Sequence, residues 1–94
     1  MRALNERPIM RGHARLRYDR SSGRFFLLSP ERGILLNRTA HEVLELCAGG
    51  TRSLSQLIGE LHERYPEVAT LELEHDVCEL FDALERRALV RFEP

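Results

Sequence analysis

The chain has 94 residues, 43% hydrophobic and 31% charged, with a formal net charge of −1, which suits one soluble domain over residues 1–94 burying roughly 60 to 70% of its unfolded surface. No stretch approaches the ~20 apolar residues that span a bilayer, and no apolar signal core opens the chain, so the expected location is cytoplasmic, with no membrane contact. The small net charge hides an asymmetry: residues 1–38 hold nine Arg against three acids, and residues 39–94 hold five Arg against twelve, which fits a partner that is acidic where it meets the amino-terminal half, and equally a solvated surface.

Met1 to Glu6 has no pattern and is expected to be a loose, flexible end. From His13 onward Ala14, Leu16 and Tyr18 alternate with Arg15, Arg17 and Asp19, the period of a strand with one face buried and one wet. Arg20-Ser21-Ser22-Gly23 reads as a hairpin turn, and Phe25 to Leu28 as a β-prone block. Ser29-Pro30-Glu31-Arg32 carries Pro at the second turn position, after which Gly33-Ile34-Leu35-Leu36-Asn37 starts a further block. The result is a three-stranded antiparallel meander whose first and third strands are both edges.

Thr39-Ala40-His41-Glu42 has capping-box spacing, so a helix is expected from Thr39 to Ala48, burying Ala40, Val43, Leu44 and Cys47 and stopped by Gly49-Gly50. Ser53-Leu54-Ser55-Gln56 offers a second box, ahead of an apolar stripe of Leu54, Leu57, Ile58 and Leu61 that Tyr65-Pro66 ends. Pro66 to Thr70 links to a third helix from near Leu71 to Arg87, about 25 Å long, with the stripe Leu73, Val77, Leu80, Phe81 and Leu84. Val90-Arg91-Phe92 returns as a short extended piece. The fold class is therefore α+β, winged helix-turn-helix-like, a three-stranded antiparallel sheet followed by a three-helix bundle.

Little in the chain supports chemistry. The four His residues at 13, 41, 62 and 75 are scattered singly over different elements, without zinc spacing. Cys47 and Cys78 sit on helical faces dominated by Leu, Val and Phe, where a reduced, buried thiol is the usual state. His41 and Glu45, one turn apart, read as a surface pairing rather than an acid-base couple. No phosphate loop is present, because Gly49-Gly50 closes a helix instead of opening one after a strand. Groove-reading of DNA is opposed by charge, since the third helix carries Glu72, Glu74, Asp76, Glu79, Asp82 and Glu85 before Arg86 and Arg87. No metal, cofactor, nucleic-acid or catalytic role is therefore expected. What remains is the third strand, Gly33-Ile34-Leu35-Leu36, an edge without a charged side chain, whereas Arg15 and Arg17 guard the first. Such an edge either accepts an added strand or is covered by the third helix or a second copy of the chain.

At several of these positions the chain resembles the PqqD family of peptide chaperones. Arg7-Pro8, Arg15-Leu16-Arg17-Tyr18-Asp19, Leu27-Leu28-x-Pro30-Glu31-Arg32, Leu35-x-Asn37-x-Thr39-Ala40, Glu45-Leu46-Cys47-x-Gly49 and Leu57 to Tyr65 follow the family's order and spacing. The resemblance spans roughly Arg7 to Phe92 and selects strand addition for the open edge. It implies a non-catalytic chaperone of pyrroloquinoline quinone (PQQ) biosynthesis that binds the precursor peptide PqqA and presents it to PqqE, a radical S-adenosylmethionine enzyme. The peptide would lie between the third strand and the third helix, which here means Arg32, Gly33, Ile34, Leu35 and Leu36 together with Leu73, Val77, Leu80, Phe81 and Leu84. A recognition domain of another peptide-modifying pathway and, farther off, a winged-helix DNA-binding regulator are the alternatives. Monomer and dimer are both compatible with the chain.

Overall fold

A computed structural model describes residues 3–30 and 33–94. In chain order the elements are β1 (Arg7–Met10), β2 (Arg15–Asp19), β3 (Arg24–Leu28), β4 (Gly33–Leu36), α1 (Arg38–Cys47), α2 (Leu54–Arg64), α3 (Thr70–Arg86) and β5 (Val90–Glu93). The predicted α+β architecture is present: β2, β3 and β4 form an antiparallel three-stranded sheet in that order, and three helices follow it. Cross-strand rows run Leu16, Leu27, Ile34 and Tyr18, Phe25, Leu36 on one face, and Arg17, Phe26, Leu35 and Arg15, Leu28, Gly33 on the other. The first face packs toward the helices, with Leu27 and Leu36 in the core and Leu16, Phe25 and Ile34 against it. Tyr18 departs from its alternation: it is 52% exposed, because it lies near the hairpin end of β2 and stacks on Phe25 with ring centroids 5.0 Å apart.

The sequence reading missed β1. Arg7-Pro8-Ile9-Met10 shows no alternation and contains Pro, yet it pairs antiparallel with β5 from Arg7 opposite Glu93 to Met10 opposite Val90. A two-stranded ribbon tolerates Pro because each strand has a free edge. Of the segment expected as a loose end, Met1 and Arg2 lie outside the described residues, and the part from Ala3 to Glu6 is hydrogen-bonded. The first N–H groups of a helix lack partners within it. Here Leu54 N–H donates to the Glu6 carbonyl and Ser55 N–H to the Leu4 carbonyl, both at 2.9 Å, so the segment before β1 is bonded to the start of α2.

A second correction concerns the start of α1. The cap is Asn37, not Thr39: the Asn37 Oδ1 accepts the Ala40 N–H at 2.7 Å and the helix begins at Arg38. The chain leaves β4 extended and Asn37 keeps that geometry, with φ −77° and ψ 172°, so it meets the helix first, and Asn caps at least as well as Thr. Glu42, released from the expected box, accepts the Tyr65 hydroxyl instead, at 3.0 Å. Asn37→Ala should cost about 1 kcal/mol in urea melts, more than Thr39→Ala; the reverse ranking would return the cap to Thr39.

The remaining boundaries follow their signals. At the end of α1 the Gly50 N–H donates to the Cys47 carbonyl at 2.9 Å from a left-handed φ of 69°, and a Cβ there would come within 3.1 Å of Ile9. The Ser53 box forms in full: Ser53 Oγ accepts the Gln56 N–H at 3.2 Å, and Gln56 Oε1 accepts the Ser53 N–H at 2.8 Å. Leu54, Leu57, Ile58 and Leu61 are all buried, and one continuous apolar core joins them to Val43 and Leu44 of α1 and to Leu73, Val77, Phe81 and Leu84 of α3.

Candidate functional site

Strand β4 lies at one edge of its sheet, paired on one side with β3 only. In an antiparallel strand about half of the residues turn their N–H and C=O groups away from the neighbour, so β4 carries main-chain donors and acceptors that the sheet does not use. Its side chains split by alternation. Leu36 is buried and Ile34 packs against the core, while Leu35 stands out on the opposite face, 55% exposed.

Immediately after β4 the chain enters a groove of about 560 Å³. Asn37, Thr39, Ala40 and Val43 form the α1 wall, Leu73, Val77 and Leu80 the α3 wall, and Tyr65 and Val68 close one end. The lining is apolar in its depth and polar at its rim, as ligand grooves usually are. The α3 rim bears Glu72, Asp76 and Glu79. Behind Tyr65, which lines the groove, Glu42 accepts the Tyr65 hydroxyl at 3.0 Å and meets Arg64 at 3.4 Å and Arg38 at 3.6 Å. That hydrogen bond to the Glu42 carboxylate is also the main reason the Tyr65 hydroxyl titrates above its ordinary range. The cluster holds α1 and α2 in register and fixes the closed end of the groove.

The predicted site residues separate on this geometry. Leu80 lines the groove as a partly buried residue, Leu73 and Val77 line it while belonging to the core at 3% exposure each, and Gly33 to Leu36 form the free strand that leads to its Asn37 end. Phe81 and Leu84 point into the core at 0% and 2% exposure, where Phe81 meets Phe92 edge-on at 6.3 Å. Arg32 lies outside the described residues. The α1 wall and the Tyr65 end were not foreseen: Ala40 and Val43 read as an ordinary core stripe, and no local signal tells a residue facing a cleft from one facing the core.

The other titratable and nucleophilic groups take structural parts. Cys47 is buried, its thiol donates to the Pro8 carbonyl at 3.3 Å, and burial pushes its pKa up to about 11, so at neutral pH it is a protonated, poor nucleophile. His41 Nδ1 contacts Glu45 at 3.2 Å, the pairing its spacing suggests, but the His41 side chain is only 14% exposed rather than at the surface, because its ring lies on Phe25 with centroids 4.1 Å apart. Among the described residues no three His, Cys, Asp or Glu side chains come together in a way that could hold a metal ion, and no helix is long and apolar enough to cross a membrane.

With the groove and free edge defined, comparison with known proteins supplies the family. Residues 24–90 match the family described as coenzyme PQQ synthesis protein D, PqqD. The chain belongs to the PqqD family. A relative from Xanthomonas axonopodis pv. citri, described as a PqqA binding protein, is 38% identical over 87 residues, which cover 93% of this chain and 92% of the relative. Another PqqA binding protein, from Rhodopseudomonas palustris, is 41% identical over 59 residues, 63% of this chain and 57% of that one. The fold is similar to the solution structure of the PqqD portion of Methylobacterium extorquens PqqCD, described as a functional, stand-alone recognition element for ribosomally synthesized and post-translationally modified peptides. That match has a TM-score of 0.77 at 27% identity and covers 89% of this chain and 87% of the other. The PqqD resemblance carried by the sequence motifs is thus borne out, and so is the architecture it implied.

Proposed function

We propose that the chain is a non-catalytic, cytoplasmic peptide chaperone of PQQ biosynthesis, which binds PqqA by strand addition along β4 and presents it to PqqE. The observation that carries the reading is the continuity of a free strand edge with an apolar groove. An extended peptide pairing with β4 gains main-chain hydrogen bonds there, and the same peptide running on past Asn37 finds apolar contacts between α1 and α3. Its side chains alternate, so one set faces the helices and the other emerges beside Leu35. The relatives described as PqqA binding proteins support the choice of peptide.

The mechanism is ordering and presentation. A flexible precursor gives up conformational entropy once, on the chaperone, and its reactive segment is held in a defined orientation toward the radical S-adenosylmethionine enzyme that joins a Glu and a Tyr of the peptide. No step of that chemistry requires a side chain of this chain. The test is an NMR titration of isotope-labelled protein with synthetic PqqA, using an unrelated acidic peptide of equal length as control. Saturable shifts centred on Gly33 to Leu36, Ala40, Val43 and the Leu73 to Leu80 wall are expected with PqqA alone. Equal responses to both peptides, or shifts remote from these residues, would refute the reading.

A further inference from the structure

We propose that Tyr65 is a specificity-determining residue of the groove, its ring limiting the size of the apolar peptide side chain that enters beside it, and that Glu42 positions the ring. The inference rests on the chaperone reading and names the residues that set its selectivity.

The walls of the groove are held in two different ways. Val43, Leu73 and Val77 line it at 1 to 3% exposure, so packing within the core fixes them, and a close-packed interior yields little space. Tyr65 is partly buried, rests against the edge of the core, and is the one aromatic residue among the described residues of the lining. Its place is set by hydrogen bonds.

Both ends of the residue are tied. At the backbone, the Tyr65 N–H donates to the Leu61 carbonyl at 2.9 Å, and the Tyr65 carbonyl accepts the Val68 N–H at 3.1 Å. Pro66 follows directly and narrows the conformations open to Tyr65, which sits at φ −129° and ψ 63°. At the tip, the hydroxyl donates to Glu42 Oε1 at 3.0 Å, and a carboxylate acceptor makes this stronger than a bond between neutral groups. Glu42 is itself held: its side chain is 18% exposed, with Arg64 at 3.4 Å from one oxygen and Arg38 at 3.6 Å from the other. A ring anchored at the backbone and at the hydroxyl does not swing aside for a ligand, so the free space ends at its surface.

The chemistry of the occupant follows from the lining. Ala40, Val43, Leu61, Leu73 and Val77 offer aliphatic surface, so the side chain that fills the groove is apolar, and the Tyr65 ring adds an aromatic contact while its hydroxyl stays satisfied. Glu42 and Arg64 stand behind the ring rather than in the lining. Deleting the ring therefore lengthens the space by about one benzene ring toward that charged cluster, which makes the size limit open to a complementary test.

The experiment enlarges the peptide and hollows the protein. Each apolar residue of synthetic PqqA is replaced in turn by biphenylalanine, and calorimetry compares every such peptide with unmodified PqqA on the full chain as wild type, Tyr65→Ala, Tyr65→Leu, Tyr65→Phe and Glu42→Ala. At one peptide position the wild type should bind the enlarged peptide about tenfold or more weakly, the scale of overpacking a closed site. Tyr65→Ala should take that same peptide at least as tightly as unmodified PqqA, with Tyr65→Leu between it and wild type. Tyr65→Phe and Glu42→Ala cut the same hydrogen bond, so both should relax the discrimination by similar factors. The readout is a ratio of affinities within one variant, which a loss of stability alone does not move, and if Tyr65→Ala fails to fold, Tyr65→Leu decides. Wild-type discrimination in the Tyr65 variants, or equal gains by Tyr65→Ala at every peptide position, would overturn the proposal, and wild-type discrimination in Glu42→Ala would overturn the positioning role. If wild type takes up no PqqA, the chaperone reading falls and this one with it; if it takes up PqqA and Tyr65→Ala discriminates as wild type does, only the size limit falls.

Discussion

Replacing Phe81 by Ala should lower the stability of the domain by about 3 to 5 kcal/mol, the usual cost of deleting a buried ring and leaving a cavity. For a chain of this size total stability is about 5 to 14 kcal/mol, so the variant loses a large share of it, and its melting temperature should fall by roughly 4 to 8 °C for each kcal/mol lost. The ring is fully buried and reaches Phe92 of β5 at 6.3 Å, so it joins the third helix to the two-stranded ribbon. Urea denaturation followed by circular dichroism is the check. Near-wild-type stability with weakened peptide binding would instead return Phe81 to the peptide groove, where the sequence stripe first placed it.

One position earlier on the same helix the expectation reverses. Leu80 lines the groove and is only partly buried, so Leu80→Glu should keep the fold within about 1.5 kcal/mol, in the range of ordinary substitutions. Peptide affinity should nevertheless fall at least tenfold, which corresponds to about 1.4 kcal/mol. Two effects act together: an apolar contact is lost, and a carboxylate enters a wall whose rim already holds Glu72, Asp76 and Glu79. Calorimetry with PqqA beside a urea melt separates binding from folding. Full affinity in a folded Leu80→Glu variant would remove the groove from the peptide site. The contrast between neighbours is informative because both belong to the same apolar stripe, and only packing distinguishes them.

That contrast shows where sequence reading succeeds in this chain. Periodicity found the three helices, because each must bury a stripe at three-and-four spacing, and period two found β2, while β3 and β4 were legible as β-prone apolar blocks separated by turn residues. The Ser53-Gln56 box was legible because both of its hydrogen bonds are local. The Thr39-Glu42 box was misread because two caps competed and the exit geometry of β4 favoured Asn37, while Glu42 was drawn to Tyr65 across 23 positions of chain. Strand β1 was invisible because its partner lies at the far end of the chain and its four residues carry no alternation of their own.

By itself the sequence determined the order and type of the principal elements, the absence of charge on the β4 edge, the acidity of the third helix and, through its motifs, membership of the PqqD family. All of these rest on short-range spacing or on composition. Only the tertiary structure decided that Leu80 faces a groove while Phe81 faces the core, that α1 and Tyr65 supply the opposite wall, and that Phe26, Leu28 and Leu35 share an outer face with Arg15 and Arg17. The physical reason is common to these cases. Hydrophobic burial acts on any apolar side chain without direction, so the partner covering a given stripe is set by how the elements pack, which local spacing does not encode.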